Sequence, residues 1–330
     1  MIMKNMYKII IAILVVAILG IIIYFTGNET AVEKTPPVST GDSIVGCYVS
    51  RLQKDIYTLV IQSEEKGTVF GMLAYNNYQK DSSSGSFEGT FTDGILLGNY
   101  SFDSEGMHSD RQLIFKKVGD SFMEGFGEVK TVDGKEVFVD TNNINYDQKL
   151  TFVKSKNCAE NFSDSNNIFT FTYNPYFKAY EGQNILDLDW RQNTTKKGIL
   201  LASVVIPKTY MPNTNFSSAR FTIGRSTDAN EIKNCMTSAT NGEKKGETTT
   251  IGGYDFVQFS LDDAGAGNFY ETTSYRGIVD GDCYAIEYTI HFTNIGNYSP
   301  NQGIIEFDKS VIQNEIEKII KSFKFTINSD

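Results

Sequence analysis

Residues 86–102 read SFEGTFTDGILLGNYSF, and this stretch decides the fold class of the first half of the chain. Apolar and polar residues alternate on both sides of Asp93-Gly94, a dipeptide typical of tight hairpin turns. The pattern predicts two antiparallel strands, 86–91 and 95–102. Gly89 and Gly98 lie inside these strands, where glycine usually marks a bend or a bulge.

The same alternation extends outward in both directions from this hairpin. Further short runs are separated by turn signals such as Gly119-Asp120 and Asp133-Gly134, and none has a helical period. Glycines inside successive strands favour a sheet that coils sharply into a small barrel. The sequence therefore predicts an all-β antiparallel domain over 44–154, a barrel of the lipocalin or avidin kind with eight or nine strands. The further runs are 56–61, 68–75, 111–116, 121–129, 136–139 and 149–153.

This first region resembles a domain of uncharacterised bacterial envelope lipoproteins. The resemblance is carried by residues 75–81 (YNNYQKD), 98–102 (GNYSF) and 122–127 (FMEGFG). It implies a β-domain of the cell envelope and no particular activity.

The second region, 168–330, follows a polar spacer at 155–167 and has a mixed pattern. Residues 168–173 alternate as a strand, and Asp280-Gly281 indicates a hairpin. Asp308 precedes an amphipathic helix. These elements predict an α+β domain in which helices near both ends flank an antiparallel sheet.

That order of elements looks like the PsbP-like family. The resemblance rests on residues 171–175 (FTYNP) and 319–325 (IIKSFKF). It implies an antiparallel sheet flanked by helices, and an accessory or binding role with no fixed chemistry.

Residues 9–28 carry no charge over 20 positions, enough for a helix to span the ~30 Å hydrocarbon layer. Lys4 and Lys8 precede this run, so the positive-inside rule places the N-terminus in the cytoplasm. We expect 1–28 to be a transmembrane signal anchor that contacts the lipid bilayer through residues 9–28. The polar stretch 29–43 would then be a linker to extracytoplasmic domains of a bacterial single-pass protein. A cleaved signal peptide is the alternative, but no small-x-small cleavage site follows the run.

Four cysteines, Cys47, Cys158, Cys235 and Cys283, lie beyond this segment. An even number in an oxidising compartment favours disulfides, with three connectivities open. Position relative to the domain limits suggests Cys47 with Cys158, at the two ends of the first domain, and Cys235 with Cys283 inside the second. Four buried free thiols are the alternative.

Charge and motif content narrow the function classes. The net charge of −10 argues against a nucleic-acid partner. No spacing typical of a metal site, a cofactor site or a catalytic motif is present, so we assign no catalytic, metal-binding or cofactor-binding residue. Glu105, His108 and Arg111 form a candidate polar cluster, in which Glu105 and Arg111 would pair at a barrel mouth. The alternative is an exposed hairpin turn with a solvated ion pair.

The sequence favours a non-enzymatic role. We expect a membrane-anchored extracytoplasmic protein that binds an unidentified small molecule or envelope component, or that supports the envelope. Two alternatives stay open: a hydrolase whose acids converge only in the fold, and a structural subunit of an envelope complex.

Overall fold

The computed structural model describes residues 43–78, 80–104, 107–182, 190–191, 197–238 and 241–326. The predicted anchor at 9–28 and almost all of the linker at 29–43 lie outside these residues. Within the described ranges, no helix combines the length and the apolar character needed to cross a bilayer. From Ile44 onward the chain forms one compact unit.

The first region is a closed eight-stranded antiparallel barrel, which confirms the predicted barrel. Strands β1 to β7 pair in sequence order, and β10 pairs with both β7 and β1. Between β7 and β10 the chain makes a separate hairpin, β8–β9, whose strand β9 pairs in parallel with β6 at Arg111. The strands are β1 (Gly46–Leu52), β2 (Asp55–Glu65), β3 (Thr68–Asn76), β4 (Ser83–Thr92), β5 (Ile95–Ser104), β6 (Met107–Val118), β7 (Ser121–Phe126), β8 (Val129–Val132), β9 (Lys135–Phe138) and β10 (Asn145–Ser155).

Strand alternation fills the barrel interior and also builds its outer contact. Val69 and Leu73 of β3 point inward into an aromatic-rich core, because every second residue of a strand lies on the same face. Met72 and Ala74 of the same strand point outward and join the core of the second region. One strand therefore belongs to two hydrophobic cores.

The glycines predicted to bend the barrel allow close backbone approach. Gly89 lies opposite Gly98 in the β4–β5 pair. A Cβ on Gly89 would lie 2.4 Å from the Leu97 carbonyl oxygen, closer than atoms can approach without a shift of the backbone. The sheet coils tightly at this point because no side chain intervenes.

The second region contains two open antiparallel sheets. A three-stranded sheet has the order β11-β12-β20, and a seven-stranded sheet has the order β13-β14-β15-β19-β18-β17-β16. Its strands are β11 (Glu160–Ser163), β12 (Phe169–Tyr173), β13 (Lys178–Glu181), β14 (Ile199–Pro207), β15 (Phe216–Ser226), β16 (Lys244–Ile251), β17 (Tyr254–Gly265), β18 (Asn268–Val279), β19 (Asp282–Thr293) and β20 (Lys324–Phe325).

The prediction of a PsbP-like α+β domain flanked by helices is wrong. The described residues contain only two α-helices, α1 (Ala229–Lys233) and α2 (Lys309–Ser322). Helix α2 begins after the predicted cap Asp308 and buries Ile312, Ile316 and Ile319. Residues 168–173 contain β12, as the alternation predicts, and β11 lies inside the stretch predicted as the spacer 155–167. With β13 these strands leave no helix near the beginning of the region among the described residues. Two of these strands have only four residues, too few for a two-residue period to be recognised.

The opposite face of the large sheet carries the short helix α1 and a small cluster of Trp190 with the Cys235–Cys283 disulfide, against which Ile232 of α1 packs. Gly224 lets Trp190 approach the sheet, since a Cβ there would lie 1.8 Å from the Trp190 carbonyl oxygen. A helix of five residues, a loop residue and a cross-link therefore cover this face together.

Both cysteine pairs suggested by the sequence are disulfide-bonded, Cys47 with Cys158 and Cys235 with Cys283. The alternative of four free thiols is therefore wrong. The Cys47–Cys158 bond joins the first barrel strand to the connection that leads into β11. It thus fixes where the second region begins relative to the barrel.

Polar contacts hold the barrel against the second region. The Asn76 side-chain amide donates hydrogen bonds to the carbonyl oxygens of Pro175, Tyr176 and Phe177, at 3.0, 3.3 and 2.9 Å. The Tyr176 hydroxyl donates to the Gly85 carbonyl at 3.3 Å. Because these contacts add to the shared hydrophobic core, the two regions are held in one arrangement.

Candidate functional site

The structure does not bring His108 and Arg111 of the predicted cluster together. Glu105 lies outside the described residues. His108 and Arg111 are three positions apart on β6, so they point to opposite sides of the barrel wall. His108 is exposed, and its Nδ1 lies 2.9 Å from Asp103 Oδ1. Arg111 points inward.

Inside the barrel, Arg111 belongs to an aromatic and acidic cluster. Its guanidinium lies 5.4 Å from the Tyr75 ring and 5.5 Å from the Tyr100 ring. The Tyr75 hydroxyl donates to Glu124 Oε1 at 2.5 Å. Burial raises the pKa of Glu124 above its usual 4.5, against the opposing influence of the Tyr75 hydrogen bond and of Arg111. This cluster is part of the packed interior.

A second set of buried charges lies in the seven-stranded sheet. Arg276 is 1% exposed and donates to both carboxylate oxygens of Glu243, with Glu287 nearby. The space beside them is about 10 Å³, about the size of one water molecule. We interpret this cluster as structural, because removing one partner of a buried ion pair is costly and a ligand would not fit.

The candidate functional site is an open cleft where the barrel meets the two sheets. Its volume is about 980 Å³, at the upper end of the usual range for small-molecule sites. One wall comes from the β1–β2 turn and the loop after β3, and the other comes from β11 and β13. The lining residues are Arg51, Gln53, Lys54, Ile56, Asn76, Asn77, Tyr78, Lys80, Asp81, Ser82, Glu160, Asn161, Phe162, Ser163, Tyr173, Phe177, Lys178, Ala179, Tyr180 and Glu181.

The barrel wall of the cleft is braced by side chains from two turns. Asp55 accepts a hydrogen bond from the Tyr78 backbone N–H at 2.7 Å. The Tyr57 hydroxyl donates to the Asn77 side-chain oxygen at 3.0 Å. Lys54 Nζ lies 4.3 Å from the centre of the Tyr78 ring, within cation–π range. These contacts order a polar surface that also carries an exposed aromatic ring.

The opposite wall consists of two strand edges. The Asp164 N–H donates to the Phe169 carbonyl. Along an antiparallel pair of strands, residues that hydrogen-bond to the partner strand alternate with residues that do not. Because Asp164 bonds to β12, the backbone groups of Asn161 and Ser163 point away from β12. In the same way, the hydrogen bond from the Gly182 N–H to the Leu201 carbonyl means that the backbone groups of β13 residues 179 and 181 point away from β14. β11 and β13 each pair with only one strand among the described residues.

The charged side chains on these edges already have partners inside the fold. Arg51 forms an ion pair with Glu160. Glu181 accepts a hydrogen bond from the Ser165 N–H. Lys178 donates to the Lys80 carbonyl at 3.0 Å, and burial lowers its pKa. The charges are therefore held in place by these contacts, and the backbone edges between them stay accessible.

Sequence reasoning missed the cleft because its residues come from turns and very short strands. Two stretches that contribute to the cleft, 75–81 and 171–175, enter the sequence analysis only through family resemblances. A usable signal was the concentration of Asn, Tyr and Lys at 76–80, unusual for a simple hairpin turn. Among the described residues, no group of three or more His, Cys, Asp or Glu side chains is placed to hold a metal ion.

No protein-family model and no curated protein matches this chain. Among solved structures, a crystal structure from Bacteroides thetaiotaomicron VPI-5482 is similar at 11% identity, with a TM-score of 0.29. The match covers 52% of this chain and 50% of that one. A score this low does not establish a shared fold, so this chain's own residues carry the functional inference.

Proposed function

We propose that this protein is a membrane-anchored extracytoplasmic binding protein whose cleft accommodates an extended ligand of the cell envelope. The uncharged run at 9–28 supports the anchor. Two disulfides support an oxidising compartment, because such bonds are rare in the cytosol. The cleft between barrel and sheets is the observation that carries the binding role.

Three properties of the cleft support ligand binding. Its walls are rigid, since Asn76 ties the barrel to the turn before β13 through three hydrogen bonds. It combines aromatic rings with amide side chains, a mixture that gives contact area together with directional hydrogen bonds. It is large and open, which suits a chain better than a compact molecule.

We favour binding over hydrolysis because of how the acids of the cleft are used. Glu160 is neutralised by Arg51, and Glu181 accepts a backbone N–H. A hydrolytic carboxylate pair needs one acid and one base that face the same substrate bond. Acids engaged in this way act as structural anchors of the two strands.

Membrane placement is tested by protease accessibility in cells that produce the full chain. We expect added protease to cleave the acidic domains from intact cells while residues near Lys4 stay protected. Recovery of the intact chain in the cytosolic fraction would contradict the anchored topology.

The binding role is tested by thermal shift on the purified full chain with three probes. These are cell-wall fragments released by a muramidase, phospholipid vesicles and a pool of synthetic octapeptides. We expect at least one probe to raise the melting temperature, and Tyr180→Ala to weaken that probe's binding about tenfold. The matched control is Tyr146→Ala on β10, outside the cleft. A probe that binds Tyr180→Ala and the unmodified chain equally would contradict the assignment of the site.

A further inference from the structure

We infer that the ligand of the cleft is an extended, acidic polypeptide segment, added as a strand along the open edges of β11 and β13. The inference rests on the proposed function and specifies its ligand class. Its basis is the backbone, because both edges present rows of hydrogen-bonding groups that no other described strand pairs with.

Four residues supply these groups at alternate positions. They are Asn161 and Ser163 on β11, and Ala179 and Glu181 on β13, and all four line the cleft. Each contributes a backbone N–H and a carbonyl that point away from its partner strand. Exposed groups of this kind are solvated when no strand is bound, and an extended peptide offers replacement partners at the matching two-residue spacing. Strand addition of this kind is a recurrent mode of peptide recognition.

The outer edge of the large sheet, β16, shows what a protected edge looks like. It exposes Lys244 and Lys245 and carries a register irregularity before Thr248. Exposed lysines and bulges are common devices that prevent strands from pairing with other chains. On β11 and β13, by contrast, Glu160 and Glu181 are engaged by Arg51 and the Ser165 N–H. The Arg51 guanidinium therefore offsets the charge of Glu160, whereas the Glu181 carboxylate keeps its charge and is held in place by a backbone N–H.

Charge complementarity selects an acidic segment. The described lining carries four basic side chains and three acidic ones, whereas the whole chain has a net charge of −10. Arg51 and Glu160 offset each other, which leaves three lysines against Asp81 and Glu181, and Lys80 is exposed at the cleft rim. The cleft is thus a locally positive site on an acidic protein, and this favours a negatively charged peptide.

The experiment uses a phage-displayed library of linear octapeptides selected on the full chain. The selected peptide is synthesised with a fluorescent label and its affinity is measured by anisotropy. A series of peptides with one backbone N-methyl group each then tests the mode of binding. We expect N-methylation at every second residue to weaken binding about tenfold or more, and at intervening residues by about twofold or less.

Protein variants test the same edges from the other side. Asn161→Pro removes an outward N–H that takes no part in pairing with β12, whereas Asn161→Ala keeps it. We expect about tenfold weaker peptide binding for the first and little change for the second. Ala179→Pro and Ala179→Ser form the equivalent pair on β13. Lys80→Gln, and replacement of the peptide's Asp and Glu by Asn and Gln, should each weaken binding, most strongly at low salt.

The outcomes separate this inference from the proposed function. A uniform response along the N-methyl series overturns strand addition even if a proline variant fails to fold. Binding of cell-wall fragments with no peptide selected overturns the peptide ligand and leaves the binding role intact. If none of the probes binds the unmodified chain, the proposed function itself fails.

Discussion

The barrel and the second region are both antiparallel β-structures, yet they treat their edges in opposite ways. In the barrel, β10 returns to pair with β1 and β7, so the ring of eight strands is closed. In the second region, the two sheets stay open among the described residues, with β11 and β20 at the edges of one and β13 and β16 at the edges of the other. The barrel interior is occupied by Leu73, Tyr100 and other buried side chains.

This difference gives the two regions different roles: the closed barrel contributes stability, and the open sheets can bind another chain through their edges. Closure satisfies the backbone of every barrel strand and leaves side chains as its means of recognition. An open sheet retains free backbone groups, which can bind a chain but can also aggregate. Here the open edges lie in a cleft whose other wall is the barrel. The closed region therefore lies opposite the edges of the open one across the cleft.

Loss of the Cys235–Cys283 disulfide should have the largest effect on stability. The bond closes 48 residues, for which chain entropy alone predicts a loss of about 4 kcal/mol in unfolding free energy. Both cysteines are 0% exposed, so Cys235→Ala with Cys283→Ala also loses packing against Trp190. Urea unfolding of the full chain measures the change.

The matched change in the barrel is Cys47→Ala with Cys158→Ala, which opens a loop of 111 residues. Entropy alone makes this the costlier removal, at about 5 kcal/mol. We expect the opposite order, because Cys158 is only partly buried. A larger loss for the barrel pair would show that packing around Trp190 matters less than loop length.

Gly89→Ala should destabilise the barrel by about 1–3 kcal/mol. The added Cβ meets the Leu97 carbonyl and the Gly98 Cα across the strand pair, so the backbone must move where the barrel coils. Gly265→Ala at the end of β17 is the control, because nothing lies within 4 Å of a Cβ there. Equal unfolding midpoints for the two variants would contradict the role given to close strand approach.

Glu124→Gln should stabilise the barrel in a pH-dependent way. Burial raises the folded-state pKa of Glu124 above 4.5, so folding favours its protonated form. This contribution is fully present below the unfolded pKa and is lost as the pH rises through the raised folded pKa. The melting temperature of the variant should therefore exceed that of the unmodified chain at about pH 7.5, with the difference shrinking towards about pH 4. Glu88→Gln, on an exposed side chain, should show no such trend.

The smallest effect is expected for His108→Ala. His108 lies on the outer barrel surface and pairs with Asp103, with both side chains solvent-exposed, so the change in unfolding free energy should stay within about 0.5 kcal/mol. Arg111→Ala, three residues along the same strand, removes an inward guanidinium beside Tyr75 and should cost clearly more. Equal losses would contradict the assignment of the two residues to opposite faces.

The sequence predicted the fold of the barrel better than the fold of the second region. The reason is the distance along the chain between strands that pair. In the barrel, most strands pair with their neighbours in sequence, so alternation and the Asp93-Gly94 turn predict them, with the exception of β1, which pairs with β2 and with the distant β10. In the second region, β15 pairs with β19 and β12 with β20, and a local pattern contains no information about such distant partners. The cleft was harder still, because β11 and β13 have four residues each and their importance lies in backbone groups rather than in side chains.

The amino-acid order by itself determined most strands of the barrel and helix α2 with its cap at Asp308, because these features depend on near neighbours or on simple periodicity. It did not predict β1, and it assigned 136–139 to the barrel although these residues lie in the β8–β9 hairpin. The cysteine pairing, over 111 and 48 residues, was suggested by the domain limits. Only the tertiary structure decided that Arg111 lies inside the barrel and His108 outside it, that Trp190 covers a sheet face, and that two strand edges and the barrel form a cleft. Each of these depends on which distant segments pack together, and packing is set by the whole core at once.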